Sequence, residues 1–230
     1  MNYDDLKIVT TVDVRKQLKP SEYVSFDGAG GKGLRVLFVG NSITLHGINE
    51  AIGRDHVCGM AASCPEKDYV HLCYKHIRKR YPDAVFGICQ VGMWERQYAT
   101  GEQMLPAFTA ARDFEADVIL VKLAGNCSVE GYNEAAFAEQ FSKLIAYLNP
   151  TGKAQVIVST EFHRHPAEAA MRTYAEEHGC LYCVISDLSQ RPEVLALGLY
   201  EHEGVANHPG DLGMAVIAQR YCDAFERLAL

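Results

Sequence analysis

Four residues with catalytic potential stand at the ends of apolar segments of this sequence. Ser42, Gly92 and Asn126 each follow an apolar run, and His208 precedes the last segment of helical period. Acyl transfer through a serine needs a hydroxyl beside a base, and hydrogen-bond donors aimed at the oxygen that becomes negative. The Ser42 hydroxyl, the His208 imidazole, the Asn126 amide and the backbone N–H groups of Ser42 and Gly92 are groups of these kinds.

Each of the four residues also has a structural interpretation. Ser42 can cap a helix, and Asn126 can hold a turn by bonding its own backbone. Gly92 can simply permit a turn, and His208 can be a solvated surface group. Position in the sequence leaves these alternatives open.

The elements that must position these residues alternate between strand and helix. Apolar runs rich in β-branched residues predict strands at 35–40, 84–91, 117–123, 155–160 and 181–186. Segments of helical period predict helices at 67–81, 102–114, 133–148, 166–178 and 209–228. This alternation predicts an α/β domain over residues 35–230, with a parallel sheet covered on both faces. Residues 1–34 are predicted to form an N-terminal extension, a strand or hairpin packed on that domain.

Ligands of open parallel sheets bind beyond the carboxyl ends of the strands, where the strand order reverses. Residues that directly follow predicted strands are therefore expected to share one crevice. Six further residues close to these positions are predicted to contact substrate: Asn41, Trp94, Glu95, His163, His165 and Glu203.

Two of these expectations have alternatives. Trp94, the only tryptophan, can stack on a sugar ring or fill the core. His163 and His165 lie two residues apart and share one side of an extended chain, so a metal site is conceivable. A third ligand is not evident, so substrate contact or loop packing is preferred, and neither a metal nor an organic cofactor is expected.

The segments "VLFVGNSIT", Gly92, "AGN" and "HPGDLGM" together resemble the SGNH hydrolases, also called GDSL-like esterases. The resemblance implies a flavodoxin-like three-layer α/β/α sandwich with a five-stranded parallel sheet. It also implies that Ser42 is the nucleophile and His208 its general base. The oxyanion hole would consist of the N–H groups of Ser42 and Gly92 and the side chain of Asn126.

The sequence departs from the family pattern before the histidine. An aspartate is usual three residues before it, and Val205 stands there. Such a carboxylate holds the imidazole in its useful tautomer. A backbone carbonyl of the segment "EGVAN", such as that of Val205, is the preferred replacement, with Glu203 or Glu201 as the alternative; Asp211 is assigned to the start of the last helix. A second departure is Ala124, where glycine is usual.

Composition limits the partners. The chain has 230 residues, a formal charge of -7 and eight cysteines. Acidic residues outnumber basic ones, 29 to 22, and binding of phosphates needs a concentrated basic surface, so a nucleic acid partner is not expected. No apolar stretch approaches about 20 residues, so a membrane partner is not expected either. The N-terminus does not resemble a signal peptide, and reduced cysteines in the cytoplasm are the expectation.

The predicted partner is a small-molecule or carbohydrate ester, with hydrolysis of a short acyl or O-acetyl group as the activity. The alternatives are a catalytically impaired binding module and an acyltransferase. The sequence does not predict an oligomeric state.

Overall fold

The computed structural model describes residues 23–25 and 32–230. Within these residues the strands are β1 (Tyr23–Ser25), β2 (Arg35–Gly40), β3 (Val85–Gln90), β4 (Val118–Lys122), β5 (Gln155–Ser159) and β6 (Leu181–Cys183). The helices are α1 (Tyr69–Ile77), α2 (Gly92–Arg96), α3 (Thr109–Asp113), α4 (Glu134–Leu148), α5 (Ala167–Glu177), α6 (Glu203–Ala206) and α7 (Asp211–Phe225). Most of the predicted extension, residues 1–22 and 26–31, lies outside the described residues.

The strands form one sheet in the order β1-β3-β2-β4-β5-β6. Strands β2 to β6 are parallel, and β1 pairs antiparallel with β3 at the edge. Because β2 pairs with β3 on one side and with β4 on the other, the strand order reverses beside β2. This is the flavodoxin-like order, and the predicted five-stranded parallel sheet is confirmed.

The sheet separates two apolar cores. Along β2, Val36 and Phe38 belong to the core shared with α1 and α7, whereas Leu37 and Val39 belong to the core shared with α4 and α5. Alternate residues of a strand point to opposite faces, so each residue of a strand covered on both faces is buried. The three-layer α/β/α sandwich is thus confirmed.

The segment predicted as one helix at 102–114 differs from the expectation. It is a 3-10 helix over Tyr98–Phe108 followed by the short α3, with non-helical angles at Thr100 (φ -119°, ψ 22°). Pro106 lies inside this segment and has no N–H for an α-helical bond. The sequence pattern correctly indicated a helix, but most of this segment forms the more tightly wound 3-10 helix instead of an α-helix.

No helix in the described part of the chain is long and apolar enough to cross a membrane.

Candidate active site

Ser42 lies on a tight turn directly after β2. The N–H groups of Thr44 and Leu45 donate to the Asn41 carbonyl at 2.9 and 3.0 Å, and the chain then leaves the turn without forming a helix. The helix-cap interpretation of Ser42 is therefore wrong. A Cβ at Gly40 would lie 2.0 Å from Thr44 Oγ1, so the turn needs a glycine there.

The Ser42 hydroxyl faces His208. Ser42 Oγ lies 3.4 Å from His208 Nε2, across 166 residues of sequence. On the far side of the ring, Nδ1 lies 2.6 Å from the Gly204 carbonyl oxygen. A carbonyl can only accept, so Nδ1 carries the proton and Nε2 is free to accept one from Ser42.

The sequence predicted a backbone carbonyl behind the histidine, and the structure identifies it as that of Gly204 rather than Val205. The short helix α6 brings Gly204 four residues before His208. The competing carboxylates lie elsewhere: Glu203 is exposed, and Asp211 bonds Ser63 and Lys67 at the start of α7.

Burial controls the charge of His208. Desolvation lowers its pKa to about 4, with a smaller lowering effect from the Lys122 ammonium, while the Gly204 carbonyl acts in the opposite direction. The imidazole is therefore neutral at pH 7, the form that a general base requires.

The Asn126 side chain is held from both ends. Its Nδ2 donates to Glu95 Oε2, and its Oδ1 accepts from Arg96 Nη2 at 3.0 Å. Since one end bonds a carboxylate and the other a guanidinium, the orientation of the amide is determined. The second N–H of Nδ2 remains for a group in the pocket.

The two backbone N–H groups predicted for the oxyanion hole, those of Gly92 and Ser42, differ in whether an acceptor already occupies them. Gly92 N donates to Gln90 Oε1 at 2.8 Å, so this predicted donor is engaged by a side chain. No acceptor in the described part of the chain takes the Ser42 N–H. The Ser42 N–H and the second N–H of the Asn126 amide can therefore donate to a ligand without any side chain moving first.

Beneath these groups lies a buried polar network that joins the ends of three strands. Asn41 Nδ2 donates to Glu95 Oε1 at 2.9 Å and to Glu161 Oε2 at 2.8 Å, and its Oδ1 accepts from Lys122 Nζ at 2.8 Å. Lys122 also forms an ion pair with Glu161 at 2.7 Å, with both side chains at most 2% exposed. Glu95 further accepts the Ala124 N–H at 2.6 Å.

The two carboxylates of the network have opposite pKa shifts. Burial favours the neutral form of Glu161, but the Lys122 ammonium and its hydrogen bond outweigh it and lower the pKa. Burial, together with the charge of Glu161, raises the pKa of Glu95 despite its hydrogen bonds to Asn126 and Ala124. Glu161 is thus the carboxylate that holds its charge against Lys122.

A pocket of about 530 Å³ opens over this arrangement. Its wall contains all four candidates: Ser42, Gly92, Asn126 and His208. Within the described residues, no group of three histidine, cysteine or acidic side chains is placed to hold a metal ion.

No protein-family model and no curated protein matches the sequence. Solved structures do match. A two-domain esterase active on acetylated mannans, co-crystallised with mannopentaose, aligns with a TM-score of 0.57 and 21% identity over 87% of this chain and 50% of that one. A second structure of such an esterase has a TM-score of 0.57 and 20% identity, over the same shares. The chain spans about half the length of these two esterases.

A lipolytic protein of the G-D-S-L family from Veillonella parvula aligns with a TM-score of 0.53 and 15% identity, over 85% of this chain and 100% of that one. The chain has the SGNH-hydrolase fold. At these identities the likeness concerns the fold, and the chemistry rests on the residues described above.

In this SGNH fold, three of the six residues predicted to contact substrate do not do so. Their side chains are buried and bind or pack against other parts of the protein. Trp94 is 0% exposed and packs edge-on against Phe137 in the core. Glu95 is 0% exposed and holds Asn41 and Asn126 from behind. His165 Nε2 faces the Cys127 carbonyl, and its Nδ1 accepts the Ala167 N–H.

The other three predicted contacts divide. Asn41 and His163 lie in the pocket wall, with His163 Nε2 3.1 Å from the Asn207 carbonyl. Asn41 is only 3% exposed, and the buried network already occupies both N–H groups of its side chain and its Oδ1. Glu203 is exposed on α6 and is not part of the wall, because the α6 turn directs the Gly204 carbonyl inward instead.

Sequence reasoning missed Lys122, Glu161, Gln90 and Arg96. Lys122 had a readable signal, since a lysine inside an apolar strand on a buried sheet needs a partner. The partner, Glu161, is 39 residues away and follows a different strand, so only the fold brings the two together.

Proposed function

We propose that this protein hydrolyses a carboxylic ester through an acyl-enzyme on Ser42, with His208 as general base. The observation that carries the proposal is the chain of contacts from Ser42 Oγ to His208 Nε2 and from His208 Nδ1 to the Gly204 carbonyl. It joins a nucleophile, a base and an orienting group in one line.

The reaction proceeds in two halves. Ser42 Oγ attacks the ester carbonyl while its proton passes to His208 Nε2, and the tetrahedral oxyanion accepts hydrogen bonds from Ser42 N–H and Asn126 Nδ2. Collapse expels the alcohol, which takes the proton from His208. Water then attacks the acyl-enzyme with His208 again as base, and the acid is released.

Gly92 N–H joins the oxyanion hole when the Gln90 side chain rotates away. Gln90 Oε1 occupies the N–H in the structure, in the manner of a substrate carbonyl oxygen. The rotation also gives up the long bond of 3.4 Å from Gln90 Nε2 to the Leu45 carbonyl, and hydrogen bonds of catalytic groups often tighten only in the complex. Substrate binding then replaces one acceptor by another.

A short acyl group on a carbohydrate or similar alcohol is the proposed substrate. The pocket wall is rich in polar groups, with His46, Gln90, His163 and His202 beside the catalytic residues. Hydroxyl-rich alcohols match such a wall, and the aligned two-domain esterase is described as active on acetylated mannans. Transfer of the acyl group to a second alcohol follows the same steps with an acceptor other than water.

A non-catalytic binding module of the same fold is the second candidate. The observation that favours it is the neutral Gly204 carbonyl behind His208, because a carbonyl stabilises the imidazolium less than a carboxylate does. Turnover of an acetyl ester separates the two candidates.

The test is hydrolysis of 4-nitrophenyl acetate and of acetylated sugars by the wild type, Ser42→Ala and Ser128→Ala. Ser128 is an exposed serine whose hydroxyl donates to the Glu130 carbonyl, and it serves as the matched control. We expect turnover in the wild type and the control, and loss to background in Ser42→Ala with an unchanged melting temperature. Turnover that survives in folded Ser42→Ala contradicts the mechanism.

A further inference from the structure

The charges around the candidate pocket are unbalanced. The protein as a whole has a formal charge of -7, yet among the described residues the lysine, arginine and acidic side chains in the pocket wall are Arg96 and Glu161 alone. Glu161 is 2% exposed, and both of its oxygens are occupied. Its ion pair with Lys122 at 2.7 Å cancels its charge within the protein. Arg96 is therefore the charge that the wall presents to a ligand.

Arg96 is anchored but not neutralised. Its Nη1 donates to the Gly92 carbonyl at 3.4 Å, and its Nη2 donates to Asn126 Oδ1 at 3.0 Å. No carboxylate in the described part of the chain forms an ion pair with it, although the exposed Arg191 and the half-buried Arg220 both have such partners. Two uncharged oxygens leave donors of the guanidinium unused, since it carries five N–H groups.

Glu95, the buried carboxylate behind Asn126, does not neutralise Arg96. Glu95 lies behind Asn126, whose amide donates to Glu95 at one end and accepts from Arg96 at the other. Glu95 is fully buried and has three N–H donors of its own, from Asn41, Ala124 and Asn126. Glu95 is therefore fully paired and separated from Arg96 by the Asn126 amide.

The contacts of Arg96 also place it next to the reacting centre. Asn126 is the amide that bonds the oxyanion in the proposed function, and Gly92 supplies the N–H beside it. A guanidinium that bonds both residues lies one side chain away from the scissile carbonyl. A carboxylate within a few bonds of that carbonyl can bind the free N–H groups in the bidentate manner typical of arginine.

Resting on the proposed function, we propose that the substrate is an ester bearing a carboxylate or an equivalent anion close to its scissile carbonyl, and that Arg96 binds this anion. The anion is on the acyl side in a half-ester of a dicarboxylic acid, and on the alcohol side in an O-acetylated uronic acid. Arg96 is in both cases the residue that determines specificity for charge.

The experiment compares two matched pairs of esters. The acyl-side pair is 4-nitrophenyl acetate and mono-4-nitrophenyl succinate, and the alcohol-side pair is O-acetylated glucose and O-acetylated glucuronate. We expect the wild type to prefer the anionic member of at least one pair, by about 10-fold in kcat/KM, the scale of one hydrogen bond to a charged group. The pair that shows this preference indicates whether the anion belongs to the acyl part or to the alcohol part of the substrate.

The variants are Arg96→Gln, Arg96→Lys and the control Arg172→Gln, at an exposed arginine on α5 that stacks on Tyr182. Arg96→Gln is expected to remove the preference, Arg96→Lys to retain part of it, and Arg172→Gln to leave it unchanged. The ratio of the two kcat/KM values is the readout, because loss of the bond to Asn126 lowers both rates together. Equal losses on both members, or preference for the neutral member in both pairs, overturn the proposal.

Calorimetric binding of glucuronate, succinate and glucose requires no turnover. Tighter binding of an anion than of glucose, lost in Arg96→Gln but not in Arg172→Gln, supports the anion site even if no ester is hydrolysed. Equal binding of all three overturns it for a protein that still hydrolyses 4-nitrophenyl acetate through Ser42. Failure of the anion site and failure of the esterase function are thus observed separately.

Discussion

At the scale of single residues, the feature that distinguishes this site is the group behind His208. The Gly204 carbonyl holds Nδ1 in the protonated tautomer, which is the orienting part of the task usually given to an aspartate. It carries no negative charge to balance an imidazolium. The imidazole is consequently well oriented, and its neutral form is favoured over the imidazolium.

This predicts an unusually acidic lower limit of activity. Desolvation lowers the pKa of His208 to about 4, so protonation of the base, and with it the loss of kcat/KM, is expected as the pH falls through about 4. An unperturbed histidine would give the loss near pH 6.5. The measurement is kcat/KM for an acetyl ester from pH 3.5 to 8 at constant ionic strength, with circular dichroism to show that the fold persists. An acid limb centred near 6.5 contradicts the account.

At the scale of elements, the end of β4 carries backbone strain. Ala124 has a φ of 105°, a region that glycine adopts and other residues rarely do, and it is fully buried. The conformation aims the Ala124 N–H at Glu95 and leads into Gly125 and Asn126. The departure from the family's usual glycine thus leaves the geometry in place at a cost of about 1–3 kcal/mol.

The strain predicts an unequal effect of two alanine-to-glycine changes. Ala111 is equally buried, but it lies in α3 with helical angles. Each change removes a buried methyl worth about 0.8 kcal/mol. Ala111→Gly additionally loses about 1 kcal/mol of helix propensity, whereas Ala124→Gly relieves the strain. Urea unfolding should show Ala124→Gly to be the more stable variant by about 2 kcal/mol; equal losses in the two variants would show that Ala124 is not strained.

The elements also show how far the sequence predicts the site. Ser42, Gly92 and Asn126 were predicted to lie together because residues that follow parallel strands share one edge of the sheet, a rule that needs only the order of elements. His208 precedes the last helix, and its assignment came from the resemblance to the SGNH hydrolases. Trp94 and Glu95 were misplaced because the sequence did not predict the five-residue helix α2, in which both side chains are buried. The carbonyl that bonds His208 was predicted to be that of Val205 and is that of Gly204. The error of one residue arises because a helix of four residues, such as α6, is too short to show a helical period in the sequence.

At the scale of the whole molecule, stability and the site share one network. Lys122 ends β4, Glu161 follows β5 and Asn41 follows β2, so their contacts join three strands at the reversal of strand order. The pairs are separated by 81, 39 and 120 residues. Pairings over such distances are products of the fold, which is why the network could not be predicted from local patterns.

Lys122→Met should therefore destabilise the whole domain. It leaves Glu161 charged and buried without its ammonium, and removing one member of a buried pair costs about 3–5 kcal/mol. Lys143→Met is the matched control, because it breaks exposed ion pairs with Glu102 and Glu139 that contribute about 1 kcal/mol or less. Urea unfolding at pH 7 measures both. A loss in Lys122→Met no larger than that in Lys143→Met would mean that the buried pair does not hold the three strands.

The proposed ester hydrolysis depends on Ser42 being a nucleophile that His208 activates. The most direct measurement is labelling of the folded protein with a fluorophosphonate, followed by mass mapping of the peptides. The account predicts one adduct, on Ser42, absent in Ser42→Ala and formed much more slowly in His208→Ala. A folded wild-type protein that stays unlabelled, or that carries its adduct on another residue, would contradict it.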